Sequence, residues 1–461
     1  MRTHADGAGD IERFARMIRD EHRVCAPHRS TRRRFLQTLA TAPTLLAVPI
    51  VAPASILAQG ARPAPSERIV LAAIGVGSRG VRNLESFLGE SDCQVMAVCD
   101  VDKLHAEEGK ELVNRHYKNQ DCRVYYDFRH LLARADLDAV ALALPNHWHA
   151  VPAIQAVKAG LDVYSEAPLA HTLREGRAIC EAVRRYGCIW QTGSWQRSVE
   201  TFRTAAQLVR NGRIGKVRAV EVGVPSGHPD LCGTAGQEQA GPPPTHLDYE
   251  FWLGPAPWAP YCPARVHQNW RWHLDYGGGQ LLEWVGHHVD IAHWGMDWDA
   301  TGPVEVEAAG EFPSRGLWNT ATAFRVTCKY ANEVSMLIAA GAPQVRIGTR
   351  WIGEDGWIWC DRETIEAEPK RLLLEPTDAM KIKLPGSPGH HRNFLDCVKS
   401  RRAPVAPAEV GQRSMTPGHL GQIAMQLRRK LSWNPETETI ADDPTASRLL
   451  GTAMREPWRL G

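Results

Sequence analysis

The run GGGQLLEWVGHHVDIAHWG, Gly277 to Gly295, sets one glutamate, three histidines and one aspartate among Leu, Val, Ile and Trp. At roughly 100° per residue, a helix brings Glu283, His287, Asp290 and Trp294 within an arc of about 60°. Leu281, Leu282, Val285, Val289, Ile291 and Ala292 fill most other positions. Such a helix is expected to be buried, with one polar stripe facing a cavity. Buried carboxylates and imidazoles are costly alone, so the stripe must be paired or used. Three chemistries fit the residue types. One is a structural hydrogen-bond network. Another is a metal site built by Glu283, His287 and Asp290 at i, i+4 and i+7. The third is acid/base work, with His287 moving a proton near neutral pH and Glu283 orienting it. The elements upstream favour the third, and no metal is expected.

Those elements begin at Arg68. RIVLAAI reads as a buried strand, Gly75-Val76-Gly77-Ser78-Arg79-Gly80 as a GxGxxG turn, and Val81 to Leu88 as a helix. QVMAVCD follows as a second strand ending in Asp100, about twenty residues past the last glycine. A strand before, a helix after and an acid at that distance turn a weak motif into a strong one. Gly75, Gly77 and Gly80 let the backbone approach a pyrophosphate, with Ser78 and Arg79 at the positive helix terminus. Asp100 accepts from an adenosine ribose and repels a 2′-phosphate, so NAD is expected over NADP.

The alternation continues through DAVALALP, DVYSE and CIWQTGS with helices between, which predicts a doubly wound parallel sheet over residues 68–194. Ligands bind beyond the carboxyl ends of such strands. Pro145, Asn146, His147 and His149 of LPNHWHA lie there, as do Glu166 and Pro168 of SEAP. Beyond Gln196 the rhythm changes to β-like runs with short turns, from VEVEAAGE to VRIGTRWIGEDGWIWCD. Residues 195–461 are therefore expected to form an α+β domain with an open, mainly antiparallel sheet, whose exposed face suggests a homo-oligomer. Trp195, Gln196 and Arg197 follow the last parallel strand and are expected at the pocket mouth. Trp270, His288 and Asp290 either bind sugar hydroxyls or pack.

Composition narrows the partners. A chain of 461 residues, 43% hydrophobic and 23% charged with a net charge of +2, is globular and offers no basic face for nucleic acid. Sixteen tryptophans suit either core packing or stacking on sugar rings. Eleven cysteines without a CxxC pair argue against a zinc ribbon and for folding where thiols stay reduced. At the front, STRRRFLQTLATAPTLLAVPIVAPASILAQG reads as a twin-arginine export signal: Arg32 and Arg33 are followed by Phe35-Leu36 and an apolar stretch ending near Ala58. Pro43, Pro49 and Pro53 argue against a transmembrane helix. Residues 1–58 are thus expected to be the signal, 59–67 a linker, and the protein periplasmic or otherwise extracytoplasmic after export in folded form.

IGVGSRG, VCDVD, ALPNHWHA, VYSEAPLA, TGSWQRS and GGGQLLEWVGHHVD together resemble the Gfo/Idh/MocA family of sugar and cyclitol oxidoreductases, over nearly all of the chain after the signal. The resemblance implies a Rossmann domain followed by an open sheet that roofs the nicotinamide. The family's Glu-Lys-Pro motif falls on Glu166-Ala167-Pro168, and its Asp-x-Gly-x-His motif on Glu283-Trp284-Val285-Gly286-His287. By that likeness Glu166 and Pro168 shape the nicotinamide end and His287 is the catalytic acid/base. Ala167 replaces the lysine and Glu283 the aspartate. The implied activity is hydride transfer between a sugar carbinol carbon and NAD. The alternatives are NAD-dependent glycoside cleavage through transient oxidation and elimination, and a sugar-binding protein that holds NAD structurally.

Overall fold

The computed structural model describes residues 63–374 and 380–460; the segment expected to be a twin-arginine signal lies outside the described residues. The first sheet comprises β1 (Ile69–Ile74), β2 (Cys93–Cys99), β3 (Arg123–Tyr125), β4 (Ala139–Leu142), β5 (Asp162–Ser165) and β6 (Trp190–Thr192). Its order is β3-β2-β1-β4-β5-β6, and every pairing is parallel. β4 and β5 are buried at every position, the mark of a sheet covered on both faces. The covering helices include α1 (Ser78–Leu88), α2 (Lys103–Tyr117), α3 (Ala150–Lys158) and α4 (Leu173–Tyr186). Local chemistry sets their ends. Asp102 caps α2, while Thr172 and Glu175 form a reciprocal capping box on α4.

After α5 (Glu200–Arg210) and β7 (Val217–Val224) the chain builds the second sheet. Its other strands are β8 (Glu305–Glu311), β9 (Ala323–Lys329), β10 (Ser335–Ala340), β11 (Gly348–Gly353), β12 (Trp357–Cys360), β13 (Ile365–Glu368), β14 (Leu431–Asn434) and β15 (Thr439–Ile440). The order is β13-β12-β11-β7-β10-β9-β8-β14-β15. Only β7 and β10 pair in parallel. β9 shows why one face is covered and the other open: Phe324, Val326 and Cys328 are buried, while Arg325, Thr327 and Lys329 alternate outward.

The opening run is not one regular helix. It forms α6 (Gly279–Trp284), a π-helical turn over Val285–Val289, and α7 (Asp290–Met296). Further on lie α8 (His390–Ser400) and the long α9 (Ala408–Leu427). α9 braces the run closely: a methyl group at Gly418 would come within 2.4 Å of Val285. α8 returns to the first sheet, where Phe394, Leu395 and Cys397 join the core around Leu71, Phe87 and Tyr164.

Candidate active site

A cleft of about 890 Å³ opens at the carboxyl ends of β1, β2 and β4. Gly75, Gly77, Ser78, Arg79 and Asp100 line one end of it. Gly75 has φ +81°, and a methyl group there would lie 2.3 Å from the Ala143 carbonyl oxygen, so only glycine permits the turn. Gly80 does not line the cleft. A methyl group there would meet the Gly75 carbonyl at 1.9 Å, so Gly80 serves the packing of turn on helix. Gly77 precedes α1 with no side-chain cap, leaving the first amides of that helix to an anion. The Asp100 carboxylate accepts from Val76 N and Asp102 N at 2.9 Å each, and burial raises its pKa. It therefore braces the turn while forming part of the cleft lining. The residues present fit a dinucleotide.

The other end of the cleft holds Glu166, Ala167, Trp195, Trp270, Arg271, Glu283 and His287. Glu166 Oε1 lies 2.9 Å from Arg79 Nε and accepts from Asn83 Nδ2 at 2.8 Å. Ala167 packs on the turn that carries His287: a methyl group at Gly286 would sit 2.6 Å from Ala167 Cβ. His287 Nδ1 is buried with no hydrogen-bond partner, which leaves Nε2 as the ring nitrogen for the cleft. Burial, and then the nearby Arg362 guanidinium, push its pKa well below the usual imidazole value. The ring is thus a neutral proton acceptor at neutral pH. Glu283 does not orient it. Its Oε2 accepts from Arg271 Nε at 2.6 Å, and Asn146 Nδ2 reaches its Oε1 at 3.5 Å.

Several expected site residues turn away from the cleft. His147 Nε2 lies 3.0 Å from the Trp252 carbonyl oxygen, and His149 sits between the Pro168 and Leu144 carbonyls at 2.8 Å each. Pro145 and Asn146 do line the cleft, whereas Pro168 contributes its carbonyl to His149 instead. Among the expected substrate residues, Trp195 and Trp270 line the cleft and the others do not. Arg197 is only 2% exposed and makes paired bonds to Asp290 (2.7 and 2.9 Å) and Asp299 (2.7 and 2.9 Å). Trp294 lies under its guanidinium at 5.2 Å. Asp290 is therefore committed to a buried ion pair and ligates no metal with Glu283 and His287. His288 stacks on Trp284 at 5.2 Å and accepts at Nδ1 from Gln196 Nε2 at 3.3 Å. The cause is the π turn: one extra residue per turn rotates the downstream side chains away from the stripe that a regular helix would make.

Metal-like spacing occurs within the lining of the same cleft, at Asp102, the last residue of VCDVD, and at His105 and His267, which no motif marks. Asp102, His105 and His267 bring their ligand atoms within 4.8 Å of one another. Asp102 already accepts from His246 at 2.9 Å, from His267 at 3.1 Å and from Leu104 N at 2.9 Å. Asn83, Arg271 and Arg362 are likewise missed by sequence reasoning. Arg362 stands in the turn between β12 and β13, remote from every motif, and no local pattern marks it.

The chain belongs to the Gfo/Idh/MocA oxidoreductase family. Residues 69–194 match its NAD-binding Rossmann fold and residues 199–460 its C-terminal alpha/beta domain. The first of these domains makes NAD the cofactor. Over 146 residues the chain is 28% identical to the 2,7-anhydro-N-acetylneuraminate hydratase of Mediterraneibacter gnavus, covering 32% of this chain and 37% of that protein. Over 218 residues it is 28% identical to a glycosyl hydrolase family 109 protein of Stenotrophomonas maltophilia, covering 45% and 46%. The matched stretch thus spans less than half the length of these curated relatives. The WlbA dehydrogenase of Bordetella pertussis, solved with NADH and UDP-GlcNAcA, shares the fold: the TM-score is 0.59 at 16% identity, over 80% of this chain and 99% of that one.

Proposed function

We propose that the protein is an NAD-dependent oxidoreductase acting on a sugar or sugar derivative, with His287 as the acid/base. One observation carries the reading: the imidazole of His287, its Nδ1 buried without a partner, lines the same cleft as the glycine turn and Asp100. Bound NAD supplies a hydride acceptor at nicotinamide C4. The turn amides and Asp100 hold the dinucleotide, and His287 Nε2 takes the hydroxyl proton as the carbinol carbon gives up hydride. Glu283, held by Arg271 and Asn146, shapes the wall beside the reacting carbon. Protein supplied with NADH is expected to lose reduced-nicotinamide absorbance on addition of a suitable keto-sugar, and His287→Ala to abolish this. Equal inertness of both proteins across a broad sugar panel would favour a binding module.

The likeness to glycosyl hydrolase family 109 proteins supports a second reading. Transient oxidation acidifies the neighbouring C–H, a glycosidic group is eliminated to leave an enone, water adds to it, and the hydride is returned to the ketone. Release of aglycone from aryl glycosides without added NAD would separate the two. Export by the twin-arginine route through Arg32 and Arg33, and assembly of subunits through the open sheet face, complete the proposal. An exported protein meets little free dinucleotide, which favours a redox-neutral cycle or a second substrate that returns the hydride. Changing Arg32 and Arg33 together to Lys should retain the protein in the cytoplasm, and sedimentation should give more than one chain per particle.

A further inference from the structure

Four arginines line the cleft, and they are not equivalent: Arg82 stands exposed on α1, just past the glycine turn, and the other three are Arg79, Arg271 and Arg362. Arg79 is paired with Glu166 at 2.9 Å and Arg271 with Glu283 at 2.6 Å. Those two cations are neutralised within the wall. Arg362 has no carboxylate partner among the described residues. Its Nε donates to Gln196 Oε1 at 3.3 Å, which leaves the two terminal amino groups free. Arg362 is itself exposed at the rim. It lies over the rings of Trp195 at 4.7 Å and Trp284 at 4.8 Å, both of which also flank His287. Two indoles and an amide hold a planar fork of donors in place at the mouth, and they lower the entropy lost when an anion binds. Ala167 adds no cation of its own. Among the described residues, Arg362 is thus the uncompensated positive charge that stands beside His287.

We propose that Arg362 recognises a carboxylate carried by the substrate, so that the site takes acidic sugars in preference to neutral ones. This rests on the reading of the cleft as a sugar site. A carboxylate fits the fork with two parallel hydrogen bonds, which a neutral hydroxymethyl or amide group cannot reproduce. Gln196 acts as a positioning residue here, linking Arg362 to the buried His288.

The test uses the full chain loaded with NADH and reads binding, not turnover. Titration calorimetry compares glucuronate with glucuronamide, galacturonate with its amide, and N-acetylneuraminate with its methyl ester. In at least one pair the acid is expected to bind about tenfold more tightly than its neutral partner. R362Q should erase that preference and leave NADH affinity and the melting temperature unchanged. R362K, with charge but no fork, should restore part of it. Absence of any acid preference across the three pairs, including absence of binding, overturns the proposal. So does loss of NADH affinity in R362Q, which would assign the guanidinium to the dinucleotide phosphates. An equal weakening of acid and neutral partner in R362Q overturns it as well. Because no chemistry is required, an inert enzyme that keeps the preference refutes only the redox reading, and a turning-over enzyme without it refutes only this one.

Discussion

Glu283 and His287 face a cleft, whereas His288, Asp290 and Trp294, a short way further along the same run, are sealed into the core around Arg197. The residue types and spacing barely differ between the two halves. Partners decide the outcome. In the second half the charges are paired inside the core: Asp290 and Asp299 clasp one guanidinium, and His288 is satisfied by Gln196, although His293 Nδ1 is also buried with no partner. In the first half His287 lines the cleft with no hydrogen-bond partner on its ring among the described residues, and the neighbouring Arg362 has no counter-ion among them. Satisfied polar clusters build structure, and an unsatisfied one beside a cavity is where a ligand enters.

Substitutions can break that contrast. His287→Ala should lower turnover by about 10²–10⁴-fold, the usual worth of a positioned acid or base, with an unchanged unfolding midpoint. A parallel loss of stability would place His287 with the structural half. Arg197→Met should do the reverse. It leaves Asp290 buried without its partner, at a cost of about 3–5 kcal/mol. Denaturant titration should show that loss, while the remaining folded protein keeps its specific activity. Gly286→Val tests the seam between the halves. Its side chain would collide with Ala167, and overpacking of this kind costs about 1–3 kcal/mol. Ala167→Gly in the same chain should return part of the loss, and a strictly additive double mutant would deny the contact.

The smallest effect expected is one of pH. The His287 pKa is depressed, so the neutral base persists as pH falls through the usual imidazole range and is lost only well below it. kcat/KM should therefore stay level where an ordinary histidine would already have lost half its activity. R362Q removes one cause of the depression and should move the acid limb upward, toward the usual value. An acid limb already at about 6.5 in the unaltered protein would contradict the buried, arginine-flanked setting.

What is legible in the sequence depends on the range of the forces involved. The glycine turn, Asp100 and the parallel strands are read from a short window, because backbone conformation and strand burial are local matters. His287 is reachable for the same reason. Arg197 is misplaced at the pocket mouth because it stands two residues from Trp195, and adjacency carries no direction. The 3-10 turn Trp195–Ser198 sends successive side chains to different sides, so Trp195 meets the cleft while Gln196 and Arg197 point inward. The π turn breaks the period on which any helical projection depends. Arg362 is brought in by the second sheet, from 75 positions beyond His287 in the sequence, and only the fold makes them neighbours.

The return of α8 to the first sheet bears on how such a gene can be divided. Phe394 stands 6.1 Å from Phe87 and 5.9 Å from Tyr164, and Arg392 reaches back to Asp92 at 2.6 Å. A fragment ending near residue 194 would leave that aromatic surface bare and invite precipitation. Grafting this nucleotide-binding module onto another protein would require the distant eleven-residue segment to travel with it. Recombination at the obvious boundary is thereby penalised, and the two halves of the gene are bound to be inherited as one.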